Sequence, residues 1–171
     1  MKNWQKHLMA LAAVPALVLA SLAAPSPAAS ASVTASPQAS VVDGTVGAAA
    51  TEYNDAVGGG PIYSVYGCTE NSYGEACFQK YGDGIYLVKN TSGAVYARWS
   101  NWLWNGSAWQ QYRNGECWLS NLTNTWSHCN KDFYEDSTSP NAYGSQGSGI
   151  RLSLCSSGGT CSTETWTRND S

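Results

Sequence analysis

From residue 84 onward, short runs rich in Tyr, Trp, Val, Ile and Leu alternate with clusters of turn-forming residues. The runs include "IYLVK", "AVYARWSNWLW", "AWQQYR", "ECWLSNL" and "IRLSLC". The punctuation is "YGDG" at 81–84, "NTSG" at 90–93, "NGS" at 105–107, "NG" at 114–115, "SPNAYGSQGSG" at 139–149 and "SSGG" at 156–159. No run shows a convincing helical period. Short strands at this spacing predict an all-β domain, a small antiparallel sandwich or barrel.

The stretch "RWSNWLWNGSAWQQYRNGECW", residues 98–118, carries five tryptophans separated by little except small and amide side chains. If Asn105-Gly106 and Asn114-Gly115 each form a two-residue hairpin turn, which demands φ > 0 at both positions, the register follows by counting. Trp102 then faces Trp109, Gln111 faces Trp118, and Tyr112 faces Cys117. One face collects Tyr96, Arg98, Ser100, Trp102, Trp104, Trp109, Gln111 and Trp118. The other collects Val95, Ala97, Trp99, Leu103, Ala108, Gln110, Tyr112, Cys117 and Leu119, and its aliphatic side chains mark it as the core.

Two readings of the tryptophan face follow. Flat rings flanked by hydrogen-bonding groups suit a sugar, whose C–H face packs on indole while its hydroxyls reach polar neighbours. On that reading Trp102, Trp104, Trp109, Gln111 and Trp118 are the ligand-binding residues. A sandwich strand can also be apolar on both faces, and extending the register through "NTSG" puts Ile85 and Leu87 on the same face, which implies burial there. A bulge at Ser100-Asn101 would shift the count by one residue.

The amino terminus reads "MKNWQKHLMALAAVPALVLASLAAPSPAASASV". Two lysines, an apolar run broken by a proline, and small residues ending in Ala-Ser-Ala predict a secretory signal peptide over residues 1–31. No later segment has the ~20 apolar residues of a transmembrane helix, so a secreted, extracellular protein without a membrane anchor is expected. Residues 32–60 are Ala/Ser/Val/Gly-rich and close with "GGGP", which predicts a flexible leader or propeptide, with one domain over 61–168. Loss of Lys2 and Lys6 leaves seven basic against twelve acidic residues, a charge of −5. Basic residues scattered singly on an acidic chain do not make a nucleic-acid footprint. A monomer is expected.

All six cysteines, Cys68, Cys77, Cys117, Cys129, Cys155 and Cys161, lie in the exported region. An even count in a small exported domain reads as a disulfide framework. Zinc is disfavoured because no C-x-x-C pair occurs and His128 is the only histidine left after export. Six cysteines allow fifteen pairings; sequence neighbours are preferred (Cys68–Cys77, Cys117–Cys129, Cys155–Cys161) because each pair brackets a turn-rich segment.

The cysteine spacing, "YGEACFQKYGDGIYLV" and "IRLSLCSSGGTCSTETW" resemble a group of small exported actinobacterial proteins of unassigned activity. The resemblance spans residues 67–166. It implies a secreted, disulfide-linked β domain and transfers no catalytic or binding residue.

Chemistry is sparse. His128, beside Cys129, has no nucleophile signature around it. Asp132, Glu135 and Asp136 offer a carboxylate pair or a weak calcium site, and Glu70 and Glu75 sit within the first disulfide loop, but such clusters usually form solvated loops. No phosphate loop or dinucleotide fingerprint occurs, and no catalytic residue, metal or cofactor is assigned. The expected function is a non-catalytic extracellular binding protein with a glycan or protein ligand. The alternatives are a small extracellular hydrolase and a protease inhibitor.

Overall fold

The alternation in residues 95–104 is realised as one long strand whose odd-numbered side chains are buried and whose even-numbered ones mostly face outward. A computed structural model of the chain describes residues 41–42, 45–46, 49–135 and 139–170. The expected signal peptide and Asp136 lie outside these residues. The strands in chain order are β1 (Val41–Val42), β2 (Thr45–Val46), β3 (Glu52–Asp55), β4 (Val57–Gly58), β5 (Tyr66–Asn71) and β6 (Gly74–Gln79), then β7 (Gly84–Lys89), β8 (Val95–Trp104), β9 (Trp109–Leu119), β10 (Ser127–Asn130), β11 (Ser148–Ser156) and β12 (Thr165–Arg168). Strands β1 and β2 pair only with each other. The other ten form two five-stranded sheets, β4-β10-β7-β6-β5 and β12-β11-β8-β9-β3. Every pairing is antiparallel except β3 with β9. No helix among the described residues is long and apolar enough to cross a membrane. The described residues form an all-β fold in which two sheets pack around one core, as the alternating pattern requires.

The core is built from the inner faces of both sheets. Phe78, Ile85 and Leu87 come from one sheet; Val95, Ala97, Trp99, Ile150, Leu152 and Leu154 come from the other. Trp99 is 1% exposed and meets Phe133 edge-on, ring centroids 5.3 Å apart. Three disulfides join the expected sequence neighbours. Cys68–Cys77 staples β5 to β6, and Cys155–Cys161 closes the loop leaving β11. Cys117–Cys129 runs between β9 and β10, so it crosses the core and ties one sheet to the other. Closing short loops restricts the unfolded chain, each by an amount of order 2–3 kcal/mol.

The predicted turns need correction. Asn114-Gly115 is not a turn: both residues lie inside β9, where Gly115 pairs with Trp99. A Cβ there would come within 2.5 Å of Trp99 Cζ2 and 2.6 Å of the Glu52 carbonyl oxygen, so the glycine serves close packing rather than positive φ. The hairpin loop at Asn105-Gly106 exists but spans residues 105–108, with Trp104 paired to Trp109 and Trp102 to Gln111 rather than to Trp109. Asn105 Oδ1 accepts from the amides of Ser107 and Ala108 at 2.9 and 2.8 Å, an Asx arrangement that fixes the longer loop. Trp118 pairs with Tyr96 and Cys117 with Ala97, not with Gln111 and Tyr112.

Ile85 and Leu87 are not on the tryptophan face. Strand β7 belongs to the opposite sheet, and both side chains are fully buried between the sheets. The boundaries also shift. Within 32–60, Glu52–Asp55 and Val57–Gly58 are strands, one in each sheet. At the other end Asn169 is fully buried, past residue 168.

Glu52 explains why so polar a segment is recruited. Its carboxylate accepts from Arg113 Nε at 2.8 Å and Lys131 Nζ at 2.9 Å, all three side chains being largely buried. Burial alone would raise the Glu52 pKa, but these two bonds hold it below the usual range. Lys131 lies 4.6 Å from the centre of the Trp99 ring, which it caps at the sheet edge.

Two predictions follow from this packing. Gly115→Ala should destabilise the domain by about 1–3 kcal/mol, because Trp99 must move to admit the methyl group, and a urea midpoint equal to that of the parent would refute the close-packing role. The second concerns Asp83, in the 81–84 turn, which accepts from the Phe133 amide and from Asn169 Nδ2, both at 2.9 Å. Desolvation pushes its pKa up from 3.8 to about 6 against the effect of those bonds. The folded state therefore holds this proton more tightly than the unfolded chain. The contribution is fully present below pH 4 and is lost as pH rises through about 6, by up to about 3 kcal/mol. Asp83→Asn should flatten that part of the stability–pH curve, as measured by denaturant unfolding across pH 4–7.

Candidate functional site

The outer face of the β12-β11-β8-β9-β3 sheet carries all five residues singled out as ligand-binding. Trp102 and Trp104 project from β8, and Trp109, Gln111 and Trp118 from β9; the four rings are half-buried and Gln111 is exposed. That the face forms at all depends on a bulge. Between Asn101 and Trp102 of β8 the partner strand runs from Arg113 to Gln111, so Tyr112 is the extra residue. Ahead of it the odd-numbered side chains of β9 point outward; beyond it the even-numbered ones do. Asn114, Glu116 and Trp118 thereby join Trp109 and Gln111 on one face.

The rings are held by neighbours. Trp102 Nε1 donates to Ser100 Oγ at 2.8 Å, and the Arg151 guanidinium lies 4.3 Å from the Trp102 ring centre. Trp118 stacks on Tyr96 with centroids 4.4 Å apart and donates from Nε1 to Glu116 Oε2 at 2.9 Å. Trp109 meets Trp104 at 5.7 Å and Trp166 at 5.0 Å, both edge-on. Trp166, on β12, is 42% exposed, and its indole lies so closely on Gly149 that a Cβ there would come within 2.4 Å of it and displace the ring.

Between the Trp102 and Trp118 rows a groove of about 330 Å³ crosses the sheet. Arg98 and Ser100 of β8 and Gln111, Asn114 and Glu116 of β9 line its middle. Arg151 of β11 and Glu164, just before β12, line one end; Thr51 and Tyr53 line the other. The pairing explains the convergence: Trp166, Arg151, Ser100 and Asn114 form one row across successive strands. Asn114 Nδ2 extends it to Thr51 Oγ1 at 2.9 Å. Arg98, Glu116 and Tyr53 form the next row. The charges are arranged in pairs, Arg98 Nε to Glu116 Oε1 at 3.9 Å and Arg151 NH1 to Glu164 Oε1 at 3.2 Å. A surface with balanced charge and many side-chain donors and acceptors can hold a polar ligand.

Of the five residues singled out in sequence, only Gln111 lines the groove; Trp102 and Trp118 stand in the residue rows on either side of its polar middle, and Trp104 and Trp109 lie one row further out. Arg151, Glu164, Glu116, Asn114, Thr51 and Tyr53 were not anticipated. The alternation of "IRLSLC" marks Arg151 as outward-facing, but only the β8–β11 pairing brings it to Trp102; Thr51 and Tyr53 sit in a segment whose composition concealed its strand. None of the candidate catalytic residues borders the groove. His128 lies on β10 in the other sheet, stacked on Tyr86 at 5.1 Å. Asp132 is exposed, with its backbone carbonyl accepting from Arg113 at 2.6 Å. Glu70 and Glu75 face each other across the β5–β6 hairpin. Among the described residues Cys68, Glu75 and Cys77 could be grouped as metal ligands, but both sulfurs are committed to a disulfide.

Trp99 and Trp102 are three residues apart on opposite faces, so their truncation separates core from surface. Trp99→Ala should cost about 3–5 kcal/mol of stability. Trp102→Ala, losing partial burial and its stacked arginine, should cost about 1–2 kcal/mol. Equal shifts in the unfolding midpoint would mean that the outer rings are core rather than surface.

Comparison with protein-family models, with curated proteins and with solved structures gives no match to this chain.

Proposed function

We propose that this chain is a secreted, non-catalytic extracellular binding protein whose ligand is a glycan held on the outer face of the β12-β11-β8-β9-β3 sheet. The observation that carries the reading is the groove itself: hydrogen-bonding side chains along its floor, with the half-buried indoles of Trp102 and Trp118 in the rows on either side of its polar middle. Sugars present alternating C–H patches and hydroxyls, and this combination of flat rings and polar side chains is complementary to both. Three disulfides fit an oxidising compartment, which agrees with the export signal expected at the amino terminus.

The reading is tested on immobilised and soluble polysaccharides with the full exported chain. Binding should quench or shift tryptophan emission and protect it from acrylamide. Gln111→Ala and Trp102→Ala should each weaken binding about tenfold or more, equivalent to about 1.4 kcal/mol. Gln111 is exposed, so its variant should unfold at the parental midpoint. Stoichiometric titration of a protease, or turnover of a glycan or peptide that disappears on changing His128 or Glu135, would overturn the proposal in favour of an inhibitor or a hydrolase.

A further inference from the structure

The groove also specifies which glycans it can hold. Resting on the binding function proposed above, we infer that the ligand is an uncharged, linear polysaccharide gripped in mid-chain, lying across the strands rather than along them.

Direction and length come from the pairing. One polar row runs from Arg151 through Ser100 and Asn114 to Thr51, and the next joins Arg98, Glu116 and Tyr53; with Glu164 just before β12, the lining spans the sheet from its β12 side to β3. Four strand-to-strand steps of about 4.8 Å make a track of about 19 Å, enough for a few consecutive sugar units. Both ends lie at sheet edges. Tyr53 is 68% exposed and the Glu164 side chain 52% exposed, so neither end is walled and a longer chain can run past them. A site that recognised a chain end would need a closed pocket around one terminal unit.

The charge preference comes from the ion pairs. Two arginines and two glutamates line the track, and each arginine already has a glutamate partner. A neutral hydroxyl both donates and accepts, so it can take a bond from a guanidinium and give one to the neighbouring carboxylate while both pairs persist. The carboxylate of a uronate, or a sulfate group, can only accept. It would compete with Glu116 or Glu164 for the same guanidinium and leave a carboxylate beside an anion, at an electrostatic cost. Gln111, Asn114 and Ser100 add neutral donors and acceptors between the pairs. The flanks present Trp102 on one side and Trp118, backed by the buried Tyr96, on the other, two half-buried rings against which pyranose faces can rest.

The test is calorimetric titration of the full exported chain with neutral polymers (β-glucan, xylan, mannan, starch) and anionic ones (polygalacturonate, alginate, dextran sulfate). An oligosaccharide series follows from the polymer bound best. The inference expects a neutral polymer to bind best, with affinity rising over the first few units, reaching a plateau at roughly four, as the track length implies, and unaffected by reduction of the reducing end. Affinity should change less than about twofold when salt is raised from about 50 to 500 mM. Tighter binding to an anionic polymer, a steep loss of affinity with salt, or full affinity for a single terminal unit would overturn the inference while leaving the glycan-binding function standing. Failure to bind any polymer in the panel, neutral or anionic, would overturn both.

Discussion

The contact between Trp99 and Gly115 determines the arrangement of the opposite side of its sheet. An indole buried between the sheets removes roughly 200 Å² from water, worth at most about 5 kcal/mol, and that burial requires a neighbour without a side chain. Gly115 is that neighbour, and its register with Trp99 leaves no freedom for adjacent pairs. Ser100 must then lie opposite Asn114 and Arg98 opposite Glu116, because a strand slip of one residue would drive Trp99 to solvent. The polar floor of the groove is thus fixed by an apolar contact on the other face.

The same indole also explains the buried charges. Glu52 is one carboxylate shared by two cations, Arg113 and Lys131, so the group carries a net positive charge at low exposure. The excess is met by ring faces: Lys131 lies over Trp99, and Arg113 lies 5.5 Å from the Phe133 ring centre and 5.9 Å from that of Trp99. Burial lowers the Lys131 pKa and outweighs the Glu52 carboxylate beside it. Through Glu52 the core holds β3 in place, and through β3 it positions Thr51 and Tyr53 at the end of the groove. Core, charged edge and outer face are therefore one mechanical unit, reinforced by Cys117–Cys129 across the sheets.

Much of this architecture was legible because it depends on local pattern. The alternation in β8 identifies Trp99 as inward-facing and Trp102 and Trp104 as outward-facing, and the disulfide pairing follows from short turn-rich loops. The β8 and β9 residues expected on the tryptophan face do share it, although Ile85 and Leu87 do not, and the reason is instructive. A change of parity between Gln111 and Trp118 was inferred from a turn at Asn114-Gly115; the structure makes the same change with a bulge at Tyr112. A turn and a one-residue bulge alter face parity alike, but a turn would have ended the strand that the bulge merely bends. What was not legible is long-range: the pairing of β8 with β11, which delivers Arg151, and the capture of residues 52–58 from a segment whose Gly- and Ala-rich surroundings resemble a linker. Glu52 gave no local sign, since its partners are 61 and 79 residues away.

The state of the rings bears on how such a face would bind. Each of the indoles nearest the groove has already spent its N–H: Trp102 on Ser100 and Trp118 on Glu116. With Arg151 and Tyr96 against their faces, these side chains have little rotamer freedom left to lose. Binding on them would incur little ordering cost, which is where a solvent-exposed groove gains affinity that area alone does not supply. The consequence is a division of labour. Rings whose donors are occupied can offer only apolar surface, so discrimination among ligands must fall to the exposed Gln111, the amide of Asn114 and the two arginine–glutamate pairs. A hydrophobic shelf by itself distinguishes sugars poorly; hydrogen-bonding groups that would be left unpaired by the wrong hydroxyl pattern distinguish them well.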